Sequence, residues 1–92
     1  MYVEMIPFID VKNFEPEDQA IKLITKQYAK KYKILPLQIY TKVVTIAICN
    51  EIDDKLQLRK DLKRILEKKL KKVVMFFRSP KKQIINMIEQ VY

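Results

Sequence analysis

The 92-residue chain contains no glycine, and this absence limits its turns and its chemistry more than any other feature of the sequence. Phosphate-binding loops, dinucleotide-binding fingerprints and nucleophile elbows all need glycine, because a side chain would block the close approach or the backbone geometry. Histidine is also absent and Cys49 is the only cysteine, so the usual zinc sites and the commonest general base are missing. The sequence therefore predicts a protein that is not an enzyme and that holds no metal or cofactor.

The length of the chain suits one hydrophobic core, so we expect residues 1–92 to form a single domain. No apolar run approaches the length of a membrane span, and the start MYVEMIPFID carries acids where a signal peptide would carry lysines. We therefore expect a cytoplasmic protein. Cys49 lies in an apolar run and is expected to be a buried structural thiol.

The apolar pattern predicts an α/β fold of the α+β sandwich type, with element order β-α-β-β-α-β-α and helices packed on a small mixed sheet. A short strand is expected from Phe8 to Val11, limited by the preceding proline. A helix should begin near Pro16, with acids in its first turn, and end near Tyr32.

Two β-prone runs follow, residues 34–40 and 42–49, and they predict an antiparallel hairpin that turns near Thr41. The second run is apolar at successive positions, so it is expected to be a central strand covered on both faces. The first run is an edge strand that Pro36 and the flanking lysines protect from pairing with another chain.

The second half of the sequence predicts a long helix, a short strand and a final helix. Asn50 to Asp54 supplies turn and capping residues, and the run from Val73 to Arg78 is typical of a strand. Ser79 is then expected to cap a helix with Pro80 at its first position. The predicted buried residues of the long helix are Leu58, Leu62, Ile65 and Leu66. Those of the final helix are Ile84, Ile85, Ile88 and Val91.

The net charge of +8 is unevenly distributed. Residues 1–20 hold five acids and one lysine, whereas residues 21–49 hold six lysines and no acid. Basic residues on one face of the long helix are candidates for binding an acidic protein surface or phosphates. These residues are Lys60, Lys63, Arg64, Lys68 and Lys71. A second cluster, Ser79, Lys81 and Lys82, lies at a predicted helix N-terminus and is a candidate anion site.

From Ile6 to Tyr92 the chain resembles the α/β portion of the N-terminal domain of type II secretion and type IV pilus assembly ATPases. The resemblance rests on the stretches IPFIDV, LITKQYAKKYKILPLQI, VVTIAICN and IINMIEQVY, which occur in the family's order and spacing. The chain departs from the family at Thr25, where a proline is usual, and at Asn50-Glu51, where a turn ending in Asp-Pro is usual. The glycines normally found in the hairpin and after the long helix are absent.

The resemblance implies an adaptor domain that docks the ATPase to the cytoplasmic part of an inner-membrane assembly protein. An extended form in some members binds cyclic di-GMP through repeated Arg-Leu-Gly motifs, which this glycine-free chain lacks. ATP hydrolysis is not expected, because the motor's phosphate loop is missing. We expect a monomer that binds a protein partner. The alternative is a nucleic-acid or anionic-ligand module, cyclic dinucleotides included, that uses the basic helix face and loses affinity steeply as salt rises.

Overall fold

The structure, a computed structural model, describes residues 6–49 and 56–92 and, for residues 56–58, only the backbone. After a short 3-10 helix at Val11–Asn13, four α-helices and three strands follow in these described ranges. They are α1 (Asp18–Ile21), α2 (Lys26–Tyr32), β1 (Ile34–Tyr40), β2 (Val43–Ile48), α3 (Leu56–Leu70), β3 (Val73–Arg78) and α4 (Lys81–Val91).

The three strands form one mixed sheet in the order β1-β2-β3. β1 and β2 are the predicted antiparallel hairpin, and β2 pairs with β3 in parallel after the crossover through α3. A bulge between Pro36 and Gln38 shifts the register of β1. The predicted mixed sheet and hairpin are confirmed.

β2 lies at the centre of the sheet and of the hydrophobic core. Every residue from Val44 to Cys49 is buried, as expected for a run that is apolar on both faces. The buried thiol of Cys49 belongs to this core, which confirms the structural interpretation of the single cysteine. In the described part of the chain, no helix has both the length and the apolar character that a membrane crossing requires.

The first strand is shorter than predicted. Phe8 forms a single parallel bridge with Arg78, through hydrogen bonds from Ile9 N to Arg78 O (2.9 Å) and from Arg78 N to Pro7 O (2.8 Å). Val11 instead begins the 3-10 helix, because the Asp10 carboxylate accepts a hydrogen bond from Lys12 N (3.1 Å) and turns the chain. With the Phe8 bridge in place of the first strand, the element order agrees with the prediction.

The prediction of a single helix from Pro16 to Tyr32 is wrong, since the chain forms two short helices, α1 and α2. Thr25 is extended (φ −70°, ψ 156°), and its Oγ1 accepts a hydrogen bond from Tyr28 N at 3.2 Å. A threonine in this conformation caps a new helix and interrupts the old one. Pro16 precedes α1, and Glu17 is the residue that caps it.

The predictions for α3 and α4 are confirmed only in part. Leu62 and Leu66 are buried, whereas Ile65 is 51% exposed, because the helical spacing places it at the edge of the buried stripe and not at its centre. The turn predicted at 50–54 and the side chain of Leu58 lie outside the described residues.

Helix α4 buries Ile84 and Ile88, as predicted, but Ile85 is exposed. The start of α4 also differs by one residue. Pro80 is the capping residue and Lys81 the first helical one, so Ser79 lies before the cap. The extended conformation that Pro80 adopts (φ −60°, ψ 138°) delays the helix by that residue.

Among residues 6–49 and 56–92, three take the left-handed conformation that glycine usually supplies. Lys33 (φ 54°) ends α2, Thr41 (φ 47°) turns the hairpin and Lys71 (φ 56°) follows α3. For residues with a Cβ atom this conformation costs roughly 1–2 kcal/mol. Two of these positions, in the hairpin and after the long helix, are those where the resemblance places the missing glycines.

Candidate interaction surfaces

The basic face of α3 is the first candidate surface. Lys60, Arg64 and Lys68 are spaced four residues apart and are all exposed, on the side of the helix opposite the buried Leu62 and Leu66. Of the other two predicted residues, Lys63 is half-buried and Lys71 is exposed just beyond the helix end. The structure therefore brings three of the five predicted residues into one exposed line.

Within the described residues, an ion pair joins this face to Asp61. Arg64 Nη2 lies 3.0 Å from Asp61 Oδ1, an ion pair in which the arginine side chain is 79% exposed. Such pairs contribute little to stability, so Arg64 can exchange Asp61 for a carboxylate of a partner at low cost. The exposed Ile65, three residues before Lys68, lies beside this line of cations and adds an apolar contact to the surface, which we call the α3 face (Lys60, Arg64, Ile65 and Lys68).

Contacts to two neighbouring elements fix α3 in place. The Glu67 carboxylate accepts a hydrogen bond from Val74 N on β3 at 2.9 Å. The Lys69 ammonium lies 4.3 Å from the ring centre of Tyr28 on α2, a cation–π contact. Burial and the neighbouring Tyr32 raise the pKa of Tyr28, so this ring stays neutral at physiological pH. The α3 face is therefore presented on a firmly anchored helix.

Lysines of α2 are partly neutralised by α4. Lys26 and Lys30 each place their ammonium nitrogen 3.4 Å from a carboxylate oxygen of Glu89. The hydrogen bond from Lys30 and the charges of both lysines lower the pKa of Glu89. This part of the basic charge is used within the domain, which leaves α3 as the stronger candidate for a partner.

Both outer edges of the sheet are occupied by glutamate side chains. On β1, Ile39 N donates to Glu17 Oε2 at 3.4 Å, and Leu37 O accepts from Glu17 N at 2.9 Å. On β3, Val74 N donates to Glu67, as described above. These contacts use backbone groups that a further strand would need, so they protect the edges from pairing with another chain. From sequence alone, only Pro36 and the flanking lysines could be assigned this role.

One face of the sheet carries exposed apolar side chains, and the sequence did not predict this surface. Tyr40, Val73 and Met75 are 55%, 51% and 50% exposed. The run VVMFF at residues 73–77 is apolar throughout, so periodicity could not indicate which of its residues lie outside the core. Only strand alternation, together with the edge position of β3 in the sheet, could have indicated these exposed side chains.

The predicted anion site is not assembled at one exposed point. Ser79 is fully buried, its N–H donates to Ile48 O at 2.9 Å, and its Oγ has no hydrogen-bond partner among the described residues. Lys82 is exposed and Lys81 half-buried at the start of α4. An anion at this helix end would therefore meet the lysines and not Ser79 Oγ. Among the described residues no group of acidic and cysteine side chains is arranged to hold a metal ion.

Comparison with known proteins gives a family and a fold. Residues 5–92 match the model of the MshEN domain. The fold is similar to that in a structure of MshE with cdg, with a TM-score of 0.77, 19% identity and coverage of 95% of this chain and 59% of that chain. It is also similar to the N-terminal domain of XpsE, with a TM-score of 0.69, 13% identity and coverage of 95% and 58%. The chain thus spans about three fifths of each structure, and no curated protein matches it.

Proposed function

The chain belongs to the MshEN domain family, the N-terminal domains of secretion and pilus ATPases, and from this premise we propose that it is a non-catalytic adaptor. In this proposal residues 1–92 form one cytoplasmic domain. It docks its ATPase to the cytoplasmic part of an inner-membrane assembly protein. The domain is the regulatory N-terminal part of such ATPases and not their catalytic part.

The observation that supports docking most directly is the line of exposed cations on α3. Lys60, Arg64 and Lys68 project from one anchored helix, with Ile65 beside them. A helix face with a line of cations beside an apolar residue suits an acidic protein surface, since opposite charges steer the encounter and the apolar contact adds affinity. We therefore place the partner's contact on the α3 face.

Anionic ligands are the second candidate function, supported by the likeness to MshE with cdg. Cyclic di-GMP would be the ligand to test on this chain. The 92 residues contain no Arg-Leu-Gly motif, so we expect titration with cyclic di-GMP to leave the amide signals of the domain unchanged. Saturable shifts would favour this second function over protein docking.

Binding to the purified cytoplasmic part of the inner-membrane assembly protein from the same organism tests the proposal. We expect the double variant Lys60→Glu/Lys68→Glu to bind about tenfold more weakly than the wild type in calorimetric titrations, because like charges then face each other. The matched control is Lys12→Glu/Lys22→Glu, which makes the same charge change at exposed lysines away from α3. Its affinity should stay close to that of the wild type.

Two results would contradict this proposal. The first is equal weakening in both variants, which would indicate a general effect of net charge. The second is the absence of binding to the assembly protein together with binding to nucleic acid that falls steeply between low and high salt.

A further inference from the structure

The exposed face of the sheet lies apart from the α3 face, and we propose that it is a second docking surface, one that fits a partner segment carrying apolar side chains beside carboxylates. We call it the open sheet face and define it by Tyr40, Val43, Val73 and Met75. This inference goes beyond docking through α3 and does not depend on it.

The strand register places these residues side by side. Tyr40 pairs with Val43 and Val43 with Val73, so the three side chains form one row on the same side of the sheet. In the next row Thr45 pairs with Met75 and with Gln38, whose N–H donates to Thr45 Oγ1 at 3.1 Å. The exposed apolar side chains therefore form one continuous patch and are not scattered singly.

The open sheet face and α3 lie on opposite sides of the sheet. Val74 and Phe76 alternate with Val73 and Met75 along β3, and they are buried. Helix α3 contacts β3, so it covers the side to which Val74 and Phe76 point. A partner on the open sheet face would consequently not compete with a partner on the outer surface of α3.

The hydrogen bonds at the two edges of the sheet indicate how a partner would bind. Glu17 and Glu67 accept hydrogen bonds from Ile39 N and Val74 N, at the two outer strands. A partner strand would have to displace these carboxylates before it could pair with either edge. Contact across the face, through side chains, avoids this cost.

The surrounding charge selects an acidic partner. The sequence contains no Asp or Glu from residue 19 to residue 49 or from residue 68 to residue 88, so the strands and the turn between β1 and β2 carry none. Lys42, Lys71 and Lys72 lie at the turn end of the patch, where Lys72 Nζ donates to Thr41 O at 3.0 Å and Val73 N to Lys42 O at 2.8 Å. Carboxylates beside apolar side chains complement this arrangement.

The same charges argue against a second copy of the chain as the occupant. A twofold dimer brings the same patch of both copies together. Both copies would then contribute three lysines, and no acid from their strands, to the same interface, and this like charge opposes association. The partner is therefore a different segment with acidic character.

Selection from a random peptide display library tests the proposal without knowledge of the natural partner. Peptides are selected on the wild-type domain, and their affinities for the wild type and for Met75→Glu are measured by fluorescence anisotropy. The matched control is Phe8→Glu, which introduces the same charge at an apolar side chain of similar exposure (57% against 50%). Phe8 pairs with Arg78, so it lies on the same side of the sheet as Val74 and Phe76. Met75→Leu preserves the apolar contact.

We expect the selected peptides to combine Asp or Glu with large apolar residues. They should bind Met75→Glu about tenfold more weakly than the wild type, and Phe8→Glu and Met75→Leu within about twofold of it. Thermal unfolding of each variant checks that it is folded, and Val73→Ser provides a second test of the patch if Met75→Glu is not.

Four results would overturn the inference. The first is that no peptides are enriched, and the second is that the enriched peptides are basic. The third is that binding is lost in Lys60→Glu/Lys68→Glu and not in Met75→Glu. The fourth is that sedimentation shows a dimer which Met75→Glu abolishes. The third of these would leave docking through α3 standing. Failure of the assembly protein to bind α3 would likewise leave the open sheet face untouched.

Discussion

Replacement of Glu67 by alanine removes the hydrogen bond that joins α3 to the outer strand of the sheet. The Glu67 carboxylate accepts this bond from Val74 N at 2.9 Å, and Val74 itself is fully buried. A hydrogen bond to a charged group contributes about 1.5–3 kcal/mol, and the buried N–H would be left without that partner. Alanine favours the helix by a few tenths of a kcal/mol, so we expect a net loss of about 2 kcal/mol. For a domain of this size that corresponds to a fall in Tm of roughly 8–16 °C.

Denaturant and thermal unfolding, followed by circular dichroism, measure this loss. Glu67→Gln keeps an acceptor oxygen without the charge and should lose less than half as much as Glu67→Ala. Glu17→Ala is the matched control at the other edge, where the hydrogen bond to Ile39 N is longer (3.4 Å) and exposed. Its expected cost is below about 1 kcal/mol. Hydrogen exchange of the Val74 amide should accelerate in Glu67→Ala.

Equal costs for Glu67→Ala and Glu17→Ala would refute this reasoning, because burial and distance would then not decide the strength of the contact. Unchanged exchange at Val74 would refute the assigned partner. Self-association of Glu67→Ala, detected by sedimentation, would add support, since the freed edge of β3 is then open to another strand.

Three further predictions concern the core, the hairpin turn and alkaline pH. Leu66→Ala should lower the free energy of unfolding by about 2–5 kcal/mol, because Leu66 is fully buried; Ile65→Ala, at an exposed position of the same helix, is the control, and a similar cost for both would contradict the burial pattern. Thr41→Gly should stabilise by about 0.5–1 kcal/mol, because relief of the left-handed strain exceeds the entropy that glycine loses on folding; a loss of stability would show that the strain is small. Burial raises the pKa of Tyr92 to about 12, against 10.0 for the ordinary tyrosine. The folded state therefore binds this proton more tightly than the unfolded state does, and the resulting stabilisation is fully present below pH 10 and is lost as the pH rises towards 12. After a discount for solvent screening the loss is about 1–2 kcal/mol, and Tyr92→Phe should remove it in unfolding titrations across that range.

The hairpin and the central strand could be predicted from sequence because their signals are local. VVTIAI is apolar at nearly every position, and only a strand covered on both faces buries such a run. The turn at Thr41 follows from the short separation of the two runs, although no turn residue marks it. Leu62 and Leu66 were predictable for the same reason, since helical spacing indicates one buried side.

The open sheet face and the closed edges could not be predicted, because they depend on contacts between distant parts of the chain. Glu17 reaches β1 across more than twenty residues, and nothing in its neighbourhood distinguishes it from a solvated acid. Val73 and Val74 are neighbours of the same residue type, yet Val73 is half exposed and Val74 is fully buried. The difference arises from the position of β3 at the sheet edge with α3 on one side only.

The absence of glycine limits the chemistry of this chain but not its architecture. Lys33, Thr41 and Lys71 adopt the left-handed conformation at three reversals of the chain, so the fold is kept and the cost appears as strain. At roughly 1–2 kcal/mol each, the three positions together take a sizeable part of the 5–15 kcal/mol that stabilises a typical domain. No such substitution exists for a phosphate-binding loop, because a Cβ atom there blocks the ligand itself. A glycine-free chain can therefore keep the fold of an ATPase's N-terminal domain without a phosphate-binding loop, and this is the reason to look for its function in the side chains of α3 and of the open sheet face.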